Sequence, residues 1–399
     1  MNFELKDIVM DKRLIWLAVG SFTISTEGFV ISSLLPDIAS DAGISVPLAG
    51  CLITAFALAY ALGTPVLATL TGDWDRRRVI LSTLAAFVVG NVVAALSSSF
   101  EVLLGARILM ALSSGLFAAT AQATAVALVD EHHRARAISV VVGGTTVAVA
   151  VGAPLGAVVA AFAGWRGTFF AIAGLGALAG AILTWRLPRG LFGARLPLKA
   201  RLAAALTPGV RPILISTVLA LTGAFAVFSY VAPLAFSVGL GEAALPLVLL
   251  GFGLGAVIGN IMGGQMADRF GATRTVVWSQ LACVVLLVGF SAIPVLLSHS
   301  LAGLSLVALT VPWGIVGWAF APAQASRIVK LAPQAASLVL SLNASALYLG
   351  VALGAAVGGL TLRYGTPADL GVVAALFPLA AVAVIAVGRR GSRVVVPAE

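Results

Sequence analysis

Two charged side chains stand in surroundings where solvation disfavours both. Glu27 lies within SFTISTEGFVISSLLPDIA, Ser21 to Ala39, and Arg107 lies within ARILMALSSG. An ionised group deep in an apolar layer costs at least ~2.5 kcal/mol on insertion scales, so it is rare without a purpose. Glu27 falls about 13 Å and Arg107 about 9 Å from the same end of their helices, at 1.5 Å per residue. Pairing in an inward-facing cavity is the cheapest arrangement for both. Gly20, Thr23 and Glu27 share one helix face, which should then point inward. A carboxylate in low dielectric favours its neutral form unless a cation faces it, and that property suits a group that loads and releases protons. The bland alternative is a carboxylate locked to a cation for structure alone.

Other residues suggest motion and binding. The loop GGQMADRFGATR carries Asp268, Arg269 and Arg274, and the loop TGDWDRRRV carries Asp73, Asp75, Arg76, Arg77 and Arg78. Glycine turns with paired charges could latch one face of a helix bundle, or could simply be solvated. In AVGAPLGAV, Gly152, Pro154 and Gly156 remove side chains and one backbone donor, so a kink and close helix packing are expected. Gln122, Tyr230, Trp313, Trp318, Gln324, Asn343 and Tyr348, with Thr23, are candidate lining for a cavity that takes flat, moderately polar molecules. Each of them alone could equally be a packing contact. There is no phosphate-binding loop with Lys and Ser/Thr, so ATP-driven transport within this chain is not expected. His132 and His133 sit among charges and read as solvated residues, and no metal site or cofactor is expected.

These residues need elements to hold them. Of 399 residues, 60% are hydrophobic and 10% charged, against about 25% charged in soluble domains. The expected fold is an all-α membrane protein, because runs of ~20 apolar residues recur, too long and too uniform for barrel strands. Twelve such runs are legible, from Leu14–Leu35 to Asp369–Gly388. All but three of the 24 cations fall in alternate connections or tails; the exceptions are Arg107, Arg166 and Arg363. The positive-inside rule then puts both termini in the cytoplasm, and it explains the net charge of +9 without nucleic acid. Cys51 and Cys283 lie in apolar runs and suggest no disulfide. The hydrophilic stretch Pro188 to Pro212 is basic and amphipathic, suited to an inner-surface helix or a plain linker. It divides the chain into six-helix halves at 1–187 and 213–399, with 188–212 as cytoplasmic linker. The pairs Gly152/Gly156 and Gly350/Gly354 recur at one offset, as in a repeat around a central path.

At these motifs the chain resembles the major facilitator superfamily, in the branch of drug:proton antiporters and arabinose-efflux-like exporters. GGQMADRFGATR is similar to the family's loop between the eighth and ninth helices. ARILMALSSG is similar to its fourth-helix motif, with Arg107 at the functional arginine, and AVGAPLGAV to its fifth-helix antiporter motif. TEGFVISSLLPDIASDAGIS and GWRGTFF are typical of the exporter branch. WGIVGWAFAPAQASRIVKLAP is closest to bacterial purine- and drug-efflux pumps. Departures are Gly72 where an Asp is usual, Asp75 where a Gly is usual, and Met110-Ala111 after the helix 4 arginine.

The resemblance implies two pseudo-symmetric six-helix halves in a bacterial plasma membrane. It implies a monomer, not an enzyme, that exports a small organic solute against protons by alternating access. The alternatives are a purine or sugar facilitator without obligatory proton coupling and, more remotely, a non-transporting membrane sensor.

Overall fold

The computed structural model describes residues 12–130, 133–192, 209–331 and 336–392; these are helical nearly throughout, and none of them forms a strand. The helices are α1 (Lys12–Asp41), a short α2 (Val46–Ala49), α3 (Cys51–Leu70), α4 (Arg76–Leu96), α5 (Phe100–Ala127), α6 (Arg134–Val147) and α7 (Ala153–Arg186). They continue as α8 (Val210–Phe228), α9 (Val231–Ser237), α10 (Leu245–Met266), α11 (Ala272–Leu296), α12 (His299–Leu331), α13 (Ala336–Tyr364) and α14 (Asp369–Ser392). π-helical turns at Ala148–Gly152 and Ala267–Gly271 join α6 to α7 and α10 to α11.

Among the described residues, ten continuous helical stretches are long and apolar enough to cross a membrane. Two of them, Arg136–Arg186 and Glu242–Leu296, run to 51 and 55 residues. A straight helix of that length would reach about 77–83 Å, against a hydrocarbon layer of about 30 Å. Each is broken by a glycine in left-handed backbone, Gly164 at φ 70° and Gly271 at φ 92°. A side chain is strained in that region, so glycine lets the chain reverse there without a loop. Each long stretch therefore makes two crossings, and ten stretches give the twelve spans expected. The chain is a multi-pass all-α membrane protein.

Three details differ from the expected spans. α1 runs on past Leu35 to Asp41, with Pro36 inside it. It therefore carries half-buried Asp37 as well as Glu27. The seventh span is not continuous: it breaks at Ser229 and Tyr230 into α8 and α9. Pro233 accounts for the break, since it has no N–H for the Ser229 carbonyl four residues back and its ring crowds that group. In the fifth span a π turn at Ala148–Gly152 directly precedes Pro154, so the i to i−4 bonding pattern changes just before the residue that lacks a donor. The expected linker helix falls on residues 193–208, outside the described residues.

Within the first six spans, α1 lies on α6 and α7, α4 on α5 and α7, and α3 on α5. Within the last six, α10 lies on α12, α8 on α13 and α14, and α11 on α12 and α14. The tightest crossing is α10 on α12. Gly251, Gly255, Gly259 and Gly263 form one stripe, and a Cβ at the last three would fall into the carbonyl oxygens of Val311, Ile315 and Ala319. Lipid tails give no hydrophobic drive for helix association, so such backbone-to-backbone packing takes its place. The two sets of six meet mainly where α3 faces α13 and where α10 crosses α6, α7 and the π turn between them. One end of the bundle carries Arg76–Arg78, Arg269 and Arg274 and is here termed the basic end; the other, with Asp41, Arg166 and Arg363, is the charge-poor end.

Candidate functional site: a buried ion pair and an aromatic bridge

Glu27 and Arg107 meet. The guanidinium of Arg107 forms an ion pair with Glu27 Oε1, and the two side chains are 1% and 0% exposed. Helical spacing on α1 explains the orientation: Glu27 and Thr23 lie one turn apart and both are fully buried, and Thr23 Oγ1 donates to the Val19 carbonyl at 2.9 Å. Arg107 is also held by α3. Its Nε donates to the Leu52 carbonyl at 3.4 Å, and its guanidinium carbon lies 4.4 Å from the centre of the Phe56 ring. Glu27 Oε2 accepts no hydrogen bond from any described residue. One oxygen of the acid thus faces the guanidinium, and the other is a buried acceptor with no protein partner among the described residues.

A line of aromatic rings leads from this pair to the second half. Phe56 neighbours Tyr60 at 6.4 Å, and Tyr60 stacks on Tyr348 of α13 with ring centres 3.5 Å apart and planes 16° apart. Tyr60 belongs to the first six spans and Tyr348 to the last six. A second aromatic group starts two residues beyond Glu27, about 200° around α1. Phe29 meets Phe225 and Phe228 of α8 and Trp318 of α12 at 6.3, 5.8 and 6.2 Å. Trp313, fully buried, continues the cluster to Phe228, Phe252 and Phe290. Of the residues singled out in the sequence, Trp313, Trp318 and Tyr348 join these clusters. Phe29, Phe56, Tyr60, Phe228, Phe252 and Phe290 were not singled out. An aromatic ring in an apolar helix has the same periodicity whether it lines a path or fills a core, so no sequence signal marks them.

The amides lie elsewhere. Gln324 Nε2 donates to the Ile213 carbonyl, Ser216 Oγ and Thr217 Oγ1 at 3.0, 3.1 and 2.8 Å, and its Oε1 accepts from Arg327 at 2.7 Å. Asn343 Oδ1 accepts from Thr217 Oγ1 at 2.8 Å. These groups form a knot that ties α8, α12 and α13 near the basic end; both N–H donors of Gln324 are used within it, and the side chain is fully buried. Gln122 is half-buried on α5 toward the same end, about 22 Å along the helix from Arg107. Tyr230, at the break between α8 and α9, is not among the aromatic cluster. Its hydroxyl donates to the Ala355 carbonyl at 2.9 Å, and its ring is clasped by Gly50 of the first half and by Gly358 and Gly359 of α13.

The two latch loops behave differently. Asp75 caps α4: its Oδ1 accepts from the Arg77 amide at 3.0 Å and its Oδ2 from the Gly190 amide at 3.1 Å. Burial works against its charge, but these amides together with the neighbouring Arg78 and Arg77 outweigh it and hold the carboxyl below the usual carboxylate range. Arg76 donates to the Ala123 carbonyl at 2.9 Å, and Arg77 to the Thr184 carbonyl. This loop therefore fastens α4 to α5 and to the end of α7, all within the first six spans. Asp73 and Arg78 are exposed. In the second loop Asp268, Arg269 and Arg274 are exposed, and no ion pair joins them to another element among the described residues. At the charge-poor end Arg166 pairs with Asp41 at 2.5 Å, donates to the Ser97 carbonyl at 3.0 Å and lies over Trp165, so it ties the ends of α1, α4 and α7.

The glycine-proline motif of the fifth span sits between two partners. A Cβ at Gly152 or Gly156 would strike Thr26 or Val30 of α1, while Gly253 of α10 presses against Val149 and Ala150 of the π turn. Pro154 is buried at the start of α7. The motif therefore lies where α1 and the second half both touch the same helix.

Twelve spans with a buried ion pair in one half and aromatic contacts to the other make a polytopic membrane protein whose site bridges its two sets of six spans. The chain belongs to the Major Facilitator Superfamily, whose family model matches residues 17–333. It is 34% identical over 381 residues to a chloramphenicol resistance protein of Streptomyces lividans, covering 94% of this chain and 95% of that one. It is 33% identical over 361 residues to the MFS-type transporter YbcL of Bacillus subtilis (strain 168), covering 90% and 91%. The inner membrane transport protein YdhP of Escherichia coli (strain K12) is 34% identical over 354 residues, covering 88% and 89%. A bacterial homolog of the human lysosomal transporter Spinster, solved inward-facing and occupied, superposes with a TM-score of 0.72 at 17% identity, over 94% of this chain and 96% of that one.

Proposed function

We propose that the protein exports a small organic solute across the plasma membrane by alternating access, driven by proton entry at Glu27. Both termini and the basic end face the cytoplasm, a single chain is the working unit, and residues 1–187 and 213–399 are the moving halves. The observation that carries this reading is the Glu27–Arg107 pair, buried in one half and joined through Phe56 and Tyr60 to Tyr348 of the other. A proton on Glu27 removes the charge that Arg107 is paired with. Leaving a buried partner unpaired costs roughly 3–5 kcal/mol. That is close to the roughly 5.5 kcal/mol that turns a 1:99 population into 99:1, provided one state solvates Arg107 better than the other. The aromatic cluster around Phe29 and Trp313 supplies surface for a flat, largely apolar solute between the halves. Chloramphenicol is the first probe, because the Streptomyces lividans relative is named for resistance to it.

The test is transport in proteoliposomes under an imposed pH gradient, comparing the parent with Glu27→Gln. The variant should lose gradient-driven accumulation and keep solute exchange at equilibrium. Gradient-driven accumulation at the parent rate would remove Glu27 as the proton carrier. A second reading has its own support: Arg107 is anchored to Leu52 and Phe56 as well as to Glu27, as a purely structural cation would be. On that reading the protein is a facilitator, and solute efflux would proceed with no accompanying proton flux.

A further inference from the structure

A cleft of about 590 Å³ opens at the charge-poor end, between α3 and α13. Pro47, Leu48, Cys51 and Thr54 form one wall, Ala356, Leu360 and Arg363 the other, and Tyr230 lies against it. It is separate from the ion pair and from the ring cluster around Phe29. Leu48, Cys51, Leu58 and Leu62 are exposed along α2 and α3, and Leu353 and Leu360 along α13. Both walls thus belong to helix faces that look out into the bilayer. From Arg363, at the last turn of α13, the lining continues to Ala355, about 12 Å deeper at 1.5 Å per residue. The walls are mainly apolar, with Ser45 and Thr54 adding hydroxyls, and Arg363 is the one charged residue among those that line the cleft.

Arg363 is otherwise unexplained. Among the described residues, Arg166 and Arg363 are the two arginines at the charge-poor end, and no lysine lies there. Arg166 is paired with Asp41, but Arg363 pairs with no carboxylate among the described residues, and its guanidinium lies 5.5 Å from the Tyr364 ring centre. We propose that this cleft binds one anionic phospholipid, with an acyl chain between α3 and α13 and the phosphate on Arg363. A guanidinium presents paired donors matched to phosphate oxygens. A cleft of this volume is in the range of small-molecule sites, and an apolar trough open to the bilayer selects a chain over a water-soluble anion. The site does not depend on whether Glu27 carries protons.

The full-length protein, purified in detergent, is mixed with phosphatidylglycerol or phosphatidylcholine of identical chains. Lipid retained per chain is counted by native mass spectrometry, and the thermal midpoint is followed in parallel. One phosphatidylglycerol should be retained in preference to phosphatidylcholine, and should raise the midpoint. Arg363→Gln should weaken that preference about fivefold, the contribution of one basic residue at an anionic surface. Ala356→Phe, which fills the trough, should lower retention of both lipids. Glycerol phosphate, a head group without chains, should neither bind nor stabilise. Equal retention of the two lipids by the parent, an unchanged preference in Arg363→Gln, or full stabilisation by glycerol phosphate would each overturn the assignment.

Discussion

Replacing Gly50 by alanine would put a methyl group where the Tyr230 hydroxyl now lies. The ring has little room to retreat. Gly358 and Gly359 press on its other side, with Cβ positions 2.6–2.8 Å from its atoms, and its hydroxyl is bonded to the Ala355 carbonyl. Overpacking of this kind costs about 1–3 kcal/mol. The cost falls only on conformations in which α3 is packed against Tyr230 and α13 at the charge-poor end. Any conformation in which those helices separate escapes it. The substitution should therefore shift the population toward separation by about 5-fold to 150-fold, at 1.4 kcal/mol per decade. Spin labels at Ser45→Cys and Tyr364→Cys, in a Cys51→Ser background, would report the distance across this end by pulsed electron resonance. Gly50→Ala should lengthen it. Gly105→Ala, where a Cβ meets nothing within 4 Å, should not. If the Gly50→Ala distribution superposes on the parent and the thermal midpoint is unchanged, Tyr230 is not a clasp between the halves.

Two further substitutions test the remaining assignments. Asp75→Asn keeps a helix cap but removes a carboxylate whose folded value lies below the usual range. The contribution of such a group is complete above its unfolded value, near 3.8, and is lost as pH falls through the lower folded value. The stability gap between parent and variant, read from thermal unfolding in detergent, should be constant near neutral pH and close only below about pH 4. Gln324→Leu should destabilise by about 1–3 kcal/mol, because Thr217 and Arg327 lose a buried partner, while the KM for the transported solute stays the same. A raised KM with unchanged stability would return Gln324 to the substrate path.

The fold was legible because lipid imposes a coarse, one-dimensional code. Apolar length and the placement of cations gave the twelve spans even where Gly164 and Gly271 hide two of them inside longer helices. The Glu27–Arg107 pair was legible for the same reason, since unpaired charges are too costly at that depth to be incidental. What the sequence did not mark depends on neighbours distant along the chain. Gln324 looks like a ligand-binding amide until Ser216 and Thr217 are seen to use its donors. Tyr60 looks like any buried ring until Tyr348 is found stacked on it from the other half. The break at Tyr230 carried a sign in Pro233, but a proline in an apolar span more often bends a helix than ends it, so its position alone did not settle the matter.

The glycine stripe on α10 also bears on how the protein is made. Its counterpart on α12 begins near Val311, about 55 residues after Gly255. At synthesis rates of about 5–20 residues per second, the bare face of α10 waits roughly 3–11 s for its partner. During that interval its Gly259 and Gly263 backbone has only lipid or the insertion machinery against it. A bulky residue in the stripe would thus first be felt at the ribosome-bound stage, as a nascent chain whose eighth and tenth spans fail to seat and which quality-control proteases then remove.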